Sequence, residues 1–173
     1  MQRRLASYTF ILGITCLISA CGFHLRGTGD SGTVVPDDWK SMHFVTGNPN
    51  SEFSRDIQSR FAANGVQWMD KENANYNLSV SPERFSQRNL SINSEARAAE
   101  FELTMSTQFS VRDADNNEVM PTTNVSVVRQ MENDPRNVVG KADEVRILQS
   151  EMRAELAQQI MRRIGFFASA SAR

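Results

Sequence analysis

At 173 residues and 19.4 kDa the chain is long enough for one domain, or one domain and a tail, and too short for multidomain machinery. Its 19 Lys and Arg stand against 20 Asp and Glu, which excludes a general electrostatic attraction to nucleic acid. A domain of this size buries about 68–70% of the surface its unfolded chain exposes, so it needs no disulfide to hold a core.

The chain opens on Met1-Gln2-Arg3-Arg4, runs through a mostly apolar stretch from Leu5 to Ile18, and reaches Ser19-Ala20-Cys21. A charged start, an apolar middle and small residues are the plan of a secretory signal, and the run is too short to span a membrane comfortably. Ile18-Ser19-Ala20-Cys21 resembles the lipobox of bacterial lipoproteins, whose cysteine is acylated and becomes the new N-terminus. The expectation is a signal peptide over 1–20 and a lipid anchor at Cys21. Cleavage there removes Arg3, Arg4 and no acid, leaving 17 bases against 20 acids and Cys21 as the one remaining cysteine. The other reading is an ordinary secreted chain with Cys21 a free thiol, a liability in an oxidising compartment. Each buried CH₂ of an acyl chain contributes about 0.8 kcal/mol, and more than one chain makes anchoring stable. Gly22 stands where an Asp would retain an enteric-type lipoprotein at the inner membrane, so the outer membrane is expected.

Residues 21–38 hold Gly22, Gly27, Gly29, Gly32 and Pro36 and read as an extended tether. The region 39–165 reads as a single domain. A short alternating segment from Trp39 to Val45 predicts a strand, and Gly47-Asn48-Pro49-Asn50 a turn. Ser51 or Asn50 can cap a helix in which Phe53, Ile57 and Phe61 recur every four residues and which Gly65 ends. Tyr76, Leu78 and Val80 alternate as a second strand that Pro82 interrupts and that continues weakly past Phe85 to Ile92; the proline argues for an edge or a bulge.

The strongest alternation is Phe101, Leu103, Met105, Thr107, Phe109 and Val111, with one buried and one polar face. Asp113 to Asn117 is a turn, after which Val119, Thr123, Val125, Val127 and Met131 complete a hairpin. A long helix from about Lys141 to Ile164 places Val145, Leu148, Met152, Leu156, Ile160 and Ile164 on one stripe, with Gly165 as its stop and 166–173 as a short tail. The predicted fold is α+β: a two-layer sandwich with two helices on one face of a four-stranded mixed sheet, in the order β-α-β-β-β-α. The first strand, helix and second strand can form a parallel crossover.

Catalytic chemistry finds no residues to carry it. The two histidines, His24 and His43, have no neighbour at ligand spacing, and no cofactor or metal site is predicted. No nucleophile elbow or phosphate loop is present. Glu100/Glu102 and Asp113/Asp115 read as strand-surface and turn residues. Basic side chains that can meet the phosphates of an anionic lipid are Arg84, Arg88, Arg97, Arg129, Arg136 and Lys141.

The run Cys21-Gly22-Phe23-His24-Leu25-Arg26-Gly27, directly at the expected lipidation site, resembles the start of the mature LptE lipoproteins of lipopolysaccharide assembly. Gly47-Asn48-Pro49-Asn50, Ser54-Arg55, Asn64-Gly65-Val66, Asp70-Lys71-Glu72, Ala99-Glu100-Phe101 and Asp134-Pro135 follow in the family's order. The resemblance implies a non-enzymatic partner of the outer-membrane β-barrel LptD in a 1:1 complex, plugging its lumen, assisting its assembly and binding lipopolysaccharide. It also implies Lys141 as one lipopolysaccharide-binding residue. The family's second basic position falls on Ser94, with Arg97 three residues later as the substitute. A tethered periplasmic module that carries amphiphiles without a barrel partner is the alternative.

Overall fold

The computed structural model describes residues 35–92, 98–132 and 138–171. A 3₁₀ turn at Asp37–Trp39 leads into β1 (Ser41–Thr46), then α1 (Glu52–Ala63), β2 (Gln67–Trp68), β3 (Tyr76–Val80), β4 (Arg84–Ile92), β5 (Ala98–Asp113), β6 (Glu118–Glu132) and α2 (Val138–Ser171).

Local chemistry sets the ends of α1. Ser51 is its N-cap, the Ser51 hydroxyl accepting from the Ser54 amide at 3.0 Å. At the other end Val66 N–H donates to the Phe61 carbonyl and Gly65 N–H to that of Ala62, both at 3.0 Å. That pair of bonds is a Schellman closure, and it needs the left-handed backbone Gly65 supplies at φ +88°.

The sheet is mixed. β1 pairs parallel with β2 and β3, while β5 pairs antiparallel with β3, β4 and β6. The β1-α1-β3 crossover is therefore the predicted one. Val80 lies opposite Phe109 and Arg84 opposite Ser106, so β3 and β4 run end to end along one edge of β5 and β6 takes the other. Three residues, 81–83, here face two of β5. Pro82, with no N–H to give, sits in the middle of that bulge.

Among the described residues the α+β class and the two helices agree with the sequence reading, but the sheet has six strands and not four. The stretch read as one interrupted strand is two, β3 and β4. The two-residue β2 is the other addition; it is held by Gln67 N–H to the Lys40 carbonyl at 2.6 Å and Met69 N–H to that of Met42 at 2.8 Å. Two residues cannot show a period, so only pairing with β1 reveals it.

The C-terminal helix is also longer than expected: α2 continues through Gly165 to Ser171, and 166–171 are its last turns. A helical glycine costs about 0.5–1 kcal/mol, which continued burial offsets. Ala168 is buried and Phe167 packs on the core one turn beyond.

Parity in β5 is kept along its length, with Leu103, Met105, Thr107, Phe109 and Val111 all buried. In β6 one step fails. Phe109 faces Thr123 but Val111 faces Met120, so a bulge at Pro121-Thr122 shifts the phase and buries Met120, not Val119. Phe53, Ile57 and Phe61 of α1 and Met152, Leu156, Ile160 and Ile164 of α2 join the sheet's buried residues in one core. Among the described residues, no helix packs on the opposite face of the sheet.

Candidate functional site

Alternation leaves the open face polar. Across it run the cross-strand pairs Ser79–Ser110, Ser106–Ser126 and Thr104–Val128, with Arg84 beside Ser106 and Arg88 beside Glu102. Arg88 Nε donates to Glu102 Oε1 at 2.6 Å, and this hydrogen bond holds the Glu102 carboxyl below its usual range. Ser91 Oγ donates to Glu100 at 3.2 Å. These acids are engaged on a strand surface, as expected of them.

Two cavities open at the β3–β4 break. One, of about 290 Å³, includes Arg84, Ser106, Gln108 and Asn124 in its lining; the other, of about 270 Å³, includes Ser79, Ser110 and Thr122. Both are bordered by Ser81, Pro82 and Gln108, so they form one trough that passes the bulge. The Thr107 hydroxyl donates to the Ser81 carbonyl at 2.6 Å and fixes the bulge against β5. Glu83 lines the first cavity too, but its carboxylate accepts from Arg153 Nε at 3.1 Å. Among the described residues, no ion pair involves the Arg84 guanidinium. Sequence reading picked out Arg84 as one of six scattered bases and missed Ser106, Gln108 and Asn124, because uncharged residues on a wet strand face carry no distinguishing pattern.

Lys141 lies in the first turn of α2, half-buried, with Nζ 4.0 Å from the centroid of the Phe101 ring at the start of β5. A cation at a helix N-terminus opposes the helix dipole. The Phe101 ring face offsets part of that cost. Cys21, Arg97, Ser94 and Arg136 lie outside the described residues. Arg129 is ion-paired with Glu155.

His43 takes a structural part. Its Nδ1 is 2.9 Å from the Met69 carbonyl, which can only accept, so Nδ1 carries the proton and donates. Among the described residues no three His, Cys, Asp or Glu side chains gather to hold a metal, and no helix is long and apolar enough to cross a membrane.

The fold, a small mixed sheet with two helices on one face, is one that solved structures share. Rare lipoprotein B from Shewanella oneidensis superposes with a TM-score of 0.69 at 22% identity, covering 76% of this chain and 98% of that one. Lipoprotein B from Nitrosomonas europaea gives a TM-score of 0.71 at 22% identity over 86% and 94%. At the level of sequence, the profile of the LptE family, described as lipopolysaccharide-assembly, matches residues 39–164. The chain belongs to that family, whose members are non-enzymatic. It is 28% identical over 158 residues to the LPS-assembly lipoprotein LptE of Photorhabdus laumondii, covering 90% of this chain and 84% of the relative. Against the LPS-assembly lipoprotein LptE of Yersinia pestis the figures are 30% over 161 residues, 90% and 74%.

Proposed function

We propose that this chain is an outer-membrane lipoprotein, anchored by acyl chains at Cys21, that plugs and helps assemble an LptD-type β-barrel in a 1:1 complex and takes part in delivering lipopolysaccharide to the outer leaflet. The observation that carries the reading is the family match over 39–164. Physical chemistry supports it. Large barrel lumens are polar, and the exposed large apolar side chains come one or two at a time from separate elements: Val45, Met69, Leu90, Val128, Ile147 and Phe166. The open face adds hydroxyls and amides, the chemistry that a hydrated barrel wall meets without desolvating charge.

Lipopolysaccharide binding is assigned in this proposal to Lys141 and Arg97. Phosphates of lipid A are ligands that an ammonium meets with charge-assisted hydrogen bonds. The alternative, carriage of amphiphiles with no barrel, needs an apolar recess for acyl chains. The trough on the open face mixes serines, Gln108 and Arg84 with Val45, Val80 and Pro82, and its two cavities of about 290 and 270 Å³ are small for several acyl chains.

The experiment is to express the lipidated, C-terminally tagged protein in its own outer membrane, solubilise mildly and identify what copurifies by mass. A protease-resistant one-to-one complex with a large barrel is expected. Emergence alone, or with soluble partners only, refutes the barrel reading.

A further inference from the structure

The trough at the β3–β4 break has three properties that together name an occupant. It is elongated, since two cavities share Ser81, Pro82 and Gln108. No aromatic ring but that of Phe109 borders it, and Phe109 is buried in the core on the other face of the sheet, so there is no platform on which a sugar ring could stack. Its two charged residues differ in their engagement: Glu83 is held by Arg153, which it shares with Glu52, while Arg84 enters no ion pair among the described residues. Gln108, at the junction, both donates and accepts, as do the flanking serines. Those polar groups match the N–H and C=O groups of an extended peptide, and Val45, Val80 and Pro82 in the second cavity suit its side chains. Arg84 at the other end calls for a carboxylate, which a guanidinium meets in bidentate geometry.

Beside the trough the backbone is also unpaired. β1 stops at Thr46, opposite Val80, so beyond it the outer edge of β4 has no neighbouring strand among the described residues. An extended segment entering over Pro82 finds edge N–H and C=O groups there as well.

We propose that this trough docks an extended acidic segment of the protein partner, with an Asp or Glu carboxylate on Arg84. The inference rests on the proposed barrel partnership and adds to it a contact point. Neither Lys141 nor the lipopolysaccharide reading is involved.

The test uses the full lipidated chain in its own membrane. A photo-crosslinking amino acid at Gln108 is expected to join the partner within a segment containing Asp or Glu. Arg84→Glu should lower recovery of the complex about tenfold or more, the loss of one charge-assisted contact plus a repulsion, while Arg84→Lys keeps most of it. Arg88→Gln, on the same face but already paired with Glu102, should change recovery less than twofold. Changing the crosslinked acid to Arg should rescue Arg84→Glu, which a fold defect would not permit. If Arg84→Glu recovers the complex as wild type does, or the crosslink lands on glycolipid or on a segment without an acid, the inference is overturned. If the wild-type chain brings down no barrel, the barrel reading itself has failed, and that outcome is seen before any variant is made.

Discussion

Arg153, midway along α2, donates through Nε to Glu83 at 3.1 Å, across a sequence separation of 70 residues. Its Nη1 also reaches Glu52 in the first turn of α1 at 2.7 Å, so one guanidinium ties both helices to the point where β3 gives way to β4. Arg153 and Glu83 are only 19% and 18% exposed, which screens the pair less than an ordinary surface bridge. Arg153→Ala should destabilise the domain by about 1–3 kcal/mol, because Glu83 is left half-desolvated without a donor. In a thermal melt that is a fall of about 2–4 °C per kcal/mol. Arg146→Ala, which breaks the exposed pair with Asp143, should cost no more than about 0.5 kcal/mol. Equal losses in the two variants would refute the latch.

The common core predicts a contrast along α2. Leu156 is fully buried, whereas Phe166 is 71% exposed. Leu156→Ala should cost about 2–5 kcal/mol from lost transfer energy and a residual cavity. Phe166→Ala should stay within about 0.5 kcal/mol. Urea midpoints at unchanged slope measure both.

Two glycines separate backbone strain from packing. At Gly65, φ is +88° and an added Cβ meets the flexible end of Lys40 at 3.3 Å; the side chain can yield but the backbone cannot. Gly65→Ala should therefore cost about 1–2 kcal/mol. At Gly47 the same Cβ makes an ordinary 3.8 Å contact with Pro82 and the backbone is not left-handed, so Gly47→Ala should be neutral within about 0.5 kcal/mol. Denaturation of the pair in one buffer decides it.

Acid should reach the β5–β6 turn through Asp113. The Asn117 side chain donates to its carboxylate at 3.0 Å and the Asn117 amide at 2.8 Å, and these bonds hold its pKa below the ordinary carboxylate value. A depressed folded-state pKa gives stability that is present above the unfolded value, about 3.9, and is lost as pH falls through the folded one. Asp113→Ala should be less stable than wild type at pH 7, and the difference should shrink as pH drops below about 4. A difference that grows with acidification would contradict the sign.

Charge reversal tests the lipopolysaccharide proposal apart from the barrel. Lys141→Glu and Arg97→Glu should each weaken binding of phosphorylated lipid A about tenfold or more, with the far-ultraviolet dichroism unchanged. Retained binding in the double variant would remove both residues from the assignment.

Much of this architecture is set by sequence patterns that act over a few residues. Alternation through β5 dictates which face is buried, because successive side chains of a strand point to opposite sides. The four-residue recurrence of Phe53, Ile57 and Phe61, the Ser51 cap and the Gly65 closure define α1 locally. Family membership was legible too, in the run at Cys21 and the ordered motifs after it, and the profile match over 39–164 agrees.

What tertiary structure alone decided depends on neighbours distant in sequence. Pro82 marked a weak point, but only the fixed register against β5 makes it a three-against-two bulge that divides one strand into two and opens a trough. Gly165 looks like a helix stop, and the burial of Ala168 overrides it. Arg153 is one arginine among many on a charged helix face until the fold brings it to Glu83 and Glu52. Short-range propensity fixes the elements; pairing register and burial, set by contacts many residues apart, fix where they end and which polar side chains meet.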